Sequence, residues 1–172
     1  MRLATCLLAL TLAAAPLALQ NTAEAAPRRA AHKPAGTVIR DPQAFVSGVY
    51  ARLVKGGPYQ PPEDIYSARL NALSASMVRD ARDEVPRVDF LFWINGQDGD
   101  ITDAVVTSTD VEARPQGDRK VVVAKFKNSG KAQELHLYFE RTPAGWKLDD
   151  VESVKDQTWT LSLVTKYGWI DR

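Results

Sequence analysis

Residues 119–154 read RKVVVAKFKNSGKAQELHLYFERTPAGWKLDDVESV. Three segments of this stretch, 119–127, 133–141 and 146–154, alternate apolar with polar residues at period two. That is the repeat of a strand with one wet face. Asn128-Ser129-Gly130 and Thr142-Pro143-Ala144-Gly145 separate them and are turn sequences. Upstream, residues 104–114 (AVVTSTDVEAR) alternate in the same way, and Pro115-Gln116-Gly117-Asp118 leads from them into the next segment. Four successive strands joined by tight turns predict an antiparallel meander.

Before the meander the period changes. Asp41-Pro42 is an acid suited to an N-cap followed by proline at the first helical position. Phe45, Val46, Val49, Tyr50, Leu53 and Val54 recur at helical spacing until Gly56-Gly57-Pro58. A helix is predicted over 42–55. Residues 64–84 form a second helical region, with Tyr66, Leu70, Leu73 and Met77 in one stripe and Pro86 beyond its end. Ser67 and Ser74 are possible breaks in it. Residues 88–94 (VDFLFWI) are apolar enough for a buried strand or a buried turn of helix, and periodicity does not separate the two. Residues 158–167 predict a short closing helix with Gly168 as its cap. Helices followed by strands give an α+β protein, with N-terminal helices packed on a curved four-stranded antiparallel meander sheet.

The N-terminus reads as a targeting segment. Met1-Arg2 is a short basic start, residues 3–19 are apolar and rich in small side chains, and Ala23-Glu24-Ala25 is a small-x-small cleavage pattern with cleavage expected after Ala25. The chain turns polar straight afterwards, so this is a signal peptide (1–25) rather than a transmembrane segment. The expected location is periplasmic or secreted. Residues 26–40 read as a disordered basic leader carrying Arg28, Arg29 and Lys33, and residues 41–172 as a single domain. Of 172 residues, 147 remain after cleavage, enough for one core without staples. Cys6 is the one cysteine and would leave with the signal peptide, which excludes disulfides, thiol nucleophiles and thiolate metal sites. Setting aside Arg2, Arg28, Arg29, Lys33 and Glu24 leaves 18 basic against 20 acidic residues. A net charge of −2 from residue 36 onward argues against nucleic acid as a partner.

Several stretches together carry a family resemblance. They are Phe45 and Tyr50, Tyr66-Ser67 with Leu70, residues 89–98 with Asn95-Gly96-Gln97-Asp98, and Gly145-Trp146-Lys147-Leu148-Asp149-Asp150-Val151. Over about residues 41–167 the chain resembles the exported bacterial proteins of domain-of-unknown-function family 3828, within the nuclear-transport-factor-2-like fold. The resemblance implies a cone-shaped α+β architecture and an envelope location. It implies no reaction, because that family has none assigned. The wider fold includes ketosteroid isomerase-like members with an Asp and a Tyr inside the cone.

Candidate chemistry is sparse. Residues 93–103, WINGQDGDITD, suggest a calcium loop, but the helix-loop-helix pattern fails from Asp98 (Asp103 where Gly is needed, Thr109 where Glu is needed) and from Asn95 (Asp100 where Gly is needed). A looser cation site would use Asp98, Asp100 and Asp103; no metal and no cofactor are expected. The same stretch serves as a junction, its Asn95, Gln97 and Asp98 side chains bonding the helical layer to the start of the first strand, or as the rim of a pocket. Only His32 and His136 are present, so a Ser-His-Asp triad would have to use His136. That residue alternates with Glu134, Tyr138 and Glu140 on a polar sheet face, which could also pair across a homodimer. Asp89, the one acid in an apolar run, could act with Tyr50 as a carboxylate-tyrosine site, or it could cap the chain after Pro86. Two functions follow. The first is a non-catalytic binding protein for a small molecule or an envelope protein, using Tyr50, Trp93, Gln97 and Asp98. The alternative is a small isomerase- or lyase-like pocket enzyme using Asp89 and Tyr50 on a hydrophobic substrate.

Overall fold

A computed structural model of the chain describes residues 36–57, 59, 61–81 and 88–169. The signal segment with its cleavage site at Ala25, Cys6, His32 and Pro86 lie outside the described residues.

Helix α1 spans Pro42–Leu53. The Asp41 carboxylate accepts hydrogen bonds from the N–H groups of Gln43 at 2.9 Å and Ala44 at 3.4 Å, which satisfies two donors that the first turn leaves open. A one-turn 3-10 helix, Glu63–Ile65, leads to α2, Ala68–Ala81. Ser67 does not break α2 but starts it: its Oγ accepts from the Leu70 N–H at 3.0 Å. Ser74 lies inside an uninterrupted helix. A second 3-10 turn, Phe92–Ile94, resolves the ambiguous apolar run, and Leu91 bridges Gly96 across it.

The sheet consists of β1 (Ile101–Ser108), β2 (Arg119–Asn128), β3 (Lys131–Thr142), β4 (Gly145–Ser153) and β5 (Trp159–Thr160), paired antiparallel in chain order. The fold is therefore α+β, with five strands rather than the expected four. Two residues are too few to show alternation, so β5 reads from sequence as the start of the closing helix. Helix α3, Leu161–Tyr167, follows it directly and ends at Gly168. Ser129-Gly130, both at positive φ, make the two-residue turn between β2 and β3. Among the described residues no helix is long and apolar enough to cross a membrane.

The inward faces of β2 (Val122, Ala124, Phe126), β3 (Leu135, Leu137, Phe139) and β4 (Trp146, Leu148, Val151) are buried together with Val46, Val49 and Tyr50 of α1. The Phe45 ring meets Phe139 edge-on at 6.5 Å, and the Tyr50 ring lies 5.0 Å from Phe126. Each Val, Leu or Phe among them contributes roughly 1.5–3 kcal/mol by leaving water. Alternation slips once in β4. Tyr138 pairs with Asp150 and Phe139 with Leu148, so Asp149 is an extra residue in a β-bulge, and Asp150 and Val151 are buried in succession.

Beyond β4 three short pieces share one edge. Ile39 bridges Trp146, Tyr66 bridges Leu148, and β5 pairs with Glu152 and Ser153. The Trp146 N–H donates to the Ile39 carbonyl, and the Ser67 N–H to the Leu148 carbonyl, each at 2.8 Å. This covers strand groups that would otherwise be open to another chain. It also corrects the expected extent of the leader. Ile39 is 2% exposed and belongs to the core, because its apolar side chain and carbonyl both find partners on β4.

Gly145 makes this docking possible. Its φ is +107, and a Cβ there would stand 2.8 Å from the Ile39 carbonyl oxygen. Gly145→Ala is expected to cost about 1–3 kcal/mol in denaturant unfolding, from backbone strain and the clash together. Unchanged stability would remove the Ile39 contact as its cause.

Candidate functional site

The stretch WINGQDGDITD is a junction, and Asn95 is its centre. Asn95 caps the second 3-10 turn in the left-handed region at φ 50, a conformation that asparagine tolerates better than most residues. Its side chain then points across the sheet end. The Trp159 indole N–H donates to Asn95 Oδ1 at 2.7 Å, while Asn95 Nδ2 donates to Gln133 Oε1 at 2.7 Å and to Ser153 Oγ at 3.2 Å. An indole can only donate, so the amide must present its oxygen to Trp159 and its nitrogen to Gln133. Gln133 thus turns its own nitrogen to Asp156 Oδ2 at 3.4 Å. One directed relay joins β3, β4, β5 and the turn after β4.

A second asparagine holds the other end. Asn128 Nδ2 donates to the Ile94 carbonyl at 2.8 Å and the Asp98 carbonyl at 3.3 Å. Gly99 is required beneath it, because a Cβ would fall 1.6 Å from Asn128 Oδ1. The junction is tied by Asn95 and Asn128 rather than by Gln97 and Asp98, whose residues are exposed.

The expected pocket rim therefore divides. Tyr50 and Trp93 are 1% and 3% exposed and lie in the core, with the Tyr50 hydroxyl donating to the Trp93 carbonyl at 2.8 Å. Gln97 and Asp98 stand on the outer turn, so the four residues do not line one surface. The Asp89–Tyr50 pair fails similarly. Asp89 is exposed and lacks the apolar enclosure that a buried acid would need, and the Tyr50 hydroxyl is committed to a carbonyl. Asp103 pairs with Lys127 Nζ at 2.8 Å, which occupies one member of the looser cation set. Among the described residues no three His, Cys, Asp or Glu side chains converge as metal ligands. On the polar sheet face, His136 Nε2 contacts Glu134 Oε1 at 3.1 Å, the Tyr138 hydroxyl donates to Glu152 Oε2 at 2.6 Å, and Arg119 stacks over Tyr138 at 4.2 Å.

The Asn95 relay supports a different surface. A half-open groove of about 540 Å³ runs between the end of β4, β5, α3 and the residues after it. Its lining combines apolar Trp159, Leu163, Val164 and Trp169 with polar Glu152, Ser153, Gln157, Thr158 and Thr160. The relay holds Trp159 and Ser153 directly. Leu163 is 41% exposed and Trp169 50%, with the Trp169 ring 5.3 Å from Phe90. Among the described residues the side chains of Gln157, Thr158 and Thr160 have no hydrogen-bond partner.

Bulge residues position α3. Asp150 Oδ1 accepts from the Ser162 N–H at 3.0 Å, and Oδ2 from the Ser162 hydroxyl at 2.5 Å, capping a helix whose own Thr160 makes no cap bond. Its neighbour Asp149 accepts from Ser67 Oγ at 2.6 Å and Arg69 Nε at 3.0 Å. Burial raises the Asp149 carboxyl, but the Arg69 and Ser67 bonds outweigh it and leave it below the ordinary carboxylate range.

Sequence reasoning missed the groove residues. Trp159 falls inside the predicted closing helix and Trp169 just beyond it, and nothing in their spacing signals a shared cleft. The fold and the groove define an α+β protein with a mixed polar and apolar cleft at the closing end of its sheet. Set against known proteins, the chain matches no family model, no curated protein and no solved structure.

Two predictions test the packing around this site. Asn95→Gly retains the left-handed backbone and removes only the amide, stranding Trp159 Nε1 and Gln133. It should lower stability by about 2–3 kcal/mol, in line with roughly 1–3 kcal/mol per buried polar group left unsatisfied. A loss below about 0.5 kcal/mol on denaturant unfolding would show that the relay does not hold the strands.

Tyrosine titration supplies the second. Burial raises Tyr50 well above the ordinary value, and burial above all raises Tyr59, Tyr66 and Tyr138 to about 12. At Tyr66 the Tyr59 phenol adds to the rise and the nearby Trp93 N–H opposes it. That N–H does not reach bonding geometry, and Trp93 Nε1 remains unpartnered. Unfolded tyrosine ionises near pH 10, so the folded state holds these protons more tightly. The resulting stability is complete below pH 10 and is lost as pH rises toward 12. Tyrosinate absorbance should lag in the native chain and appear together with unfolding. Ordinary titration near pH 10 in the folded chain would contradict the burial.

Proposed function

We propose that this chain is an exported, non-catalytic binding protein that holds a small ligand in the groove between β4, β5 and α3. One observation carries the reading: polar side chains unengaged among the described residues (Gln157, Thr158, Thr160) line one concave surface together with half-exposed apolar ones (Leu163, Trp169). The volume of about 540 Å³ lies in the range of small-molecule sites. The groove's carboxylate, Glu152, already accepts from Tyr138, and Ser153 Oγ is bonded to Asn95, so neither is paired with a base or acid for chemistry. Recognition is what such a lining does best.

The export part rests on residues 1–25, and the nuclear-transport-factor-2-like reading on the motifs around Asn95 and Trp146. The element order, helices before a meander, supports the latter. The alternative of a carboxylate-tyrosine pocket enzyme loses its motive with Asp89 exposed.

A fragment screen by two-dimensional NMR tests the site. Shift changes are expected to cluster on residues 152–169 and to vanish in Trp169→Ala. Hits that map instead to the Gln97–Asp98 turn, or persist in Trp169→Ala, would overturn the groove as the site. Export is tested by expressing the full chain in a bacterium and weighing the product. A periplasmic species starting at Ala26 is expected; an uncleaved cytoplasmic chain contradicts export.

A further inference from the structure

We infer that the groove's ligand is a neutral saccharide, a short run of sugar units stacked on the Trp169 ring. This rests on the groove being the binding site. The argument begins with charge. Among the described residues that line the groove, Glu152 is the one ionisable side chain, and none is Lys, Arg or His. An anionic ligand would meet a carboxylate and no counter-charge, at a cost in a partly desolvated site. An ammonium ligand would find a single carboxylate here, with only one oxygen left to it, since the other accepts from the Tyr138 hydroxyl at 2.6 Å. The lining favours an uncharged guest.

The remaining groups define which one. Gln157, Thr158 and Thr160 carry side chains that both donate and accept, and among the described residues none of them is engaged. Sugar hydroxyls have the same dual character, so either partner can rotate to complete a bond. A purely apolar ligand would instead bury these groups unpaired, at about 1–3 kcal/mol each. In the same groove the Trp169 ring is 50% exposed, yet steadied by Phe90 at 5.3 Å. A flat, rigid aromatic surface suits the C–H face of a pyranose ring, and its burial supplies the apolar part of the affinity at low entropic cost. Leu163 extends that surface. The groove is half open, so sugar units can continue beyond it into solvent.

The test titrates the full chain with maltotriose and with the N-acetylglucosamine trimer, followed by NMR of the Trp169 indole and the Gln157 side-chain amide. Spermidine and inorganic phosphate serve as the charged comparisons. Saturable shifts with at least one sugar are expected, with affinity falling about tenfold in Trp169→Ala, the scale of one lost ring contact near 1.4 kcal/mol. Gln157→Ala, at an exposed position that leaves the core untouched, should weaken binding several-fold while the native spectrum persists. Spermidine or phosphate shifting these signals while neither sugar does would overturn the saccharide and leave the groove as the binding site. No response at these residues to any of the four probes would overturn the saccharide too; the fragment screen then decides the groove separately.

Discussion

The structure depends on one half-buried amide, that of Asn95, whose direction is forced. Trp159 can only donate from its indole, so Asn95 must accept there and donate to Gln133, and Gln133 must then donate to Asp156. Trp159, Gln133 and Ser153 are buried, so an apolar replacement of Asn95 would leave their bonds to it unmade in a place water reaches poorly. The cost of breaking it is therefore larger than the gain from any single bond in it. The relay also determines register. It joins the second 3-10 turn to β3, β4 and β5 at once, so the helical half of the chain cannot slide along the sheet without losing all of these bonds. Asn95 can occupy the left-handed backbone that aims its amide inward, and that tolerance explains the residue type at this position.

The β4 bulge performs a related task on the other side. Inserting Asp149 turns two consecutive acids to different jobs: Asp149 anchors the start of α2 through Ser67 and Arg69, and Asp150 caps α3 through Ser162. Regular alternation would send the two side chains to opposite faces of the sheet, whereas the extra residue re-aims them. The groove follows from both devices. The relay sets its Trp159 and Ser153 walls, and the Asp150 cap sets the helix that presents Leu163 and Val164. Its floor is thus rigid, while Gln157, Thr158 and Trp169 stay at its exposed rim.

Legibility in the sequence varied with the range of the interaction responsible. Helix α1 was plain because Asp41-Pro42 and a 3.6-residue apolar repeat are local signals. The β2–β3–β4 meander was plain because alternation and turn residues are local as well. Ser67 reads from sequence as a break, because a serine before a helix and one inside it look alike until its Oγ finds the Leu70 N–H. The sequence places Ile39 within the leader, because the contact that holds it to Trp146 lies far along the chain. Tyr50 and Trp93 read from sequence as a rim, but aromatic bulk beside a polar turn is equally compatible with a core that ends there, which is where they lie.

The sequence by itself determined the α+β class, the order of elements, the absence of cysteine chemistry in residues 26–172 and the importance of Asn95's neighbourhood. These depend on periodicity, composition and turn preference, all properties of short windows. Tertiary structure alone decided the fifth strand, the bulge's division of labour, the burial of Tyr50 and Trp93, and the groove. Each arises from residues tens of positions apart meeting with a particular orientation. Burial and hydrogen-bond direction are properties of such meetings, and no local window of the chain contains them.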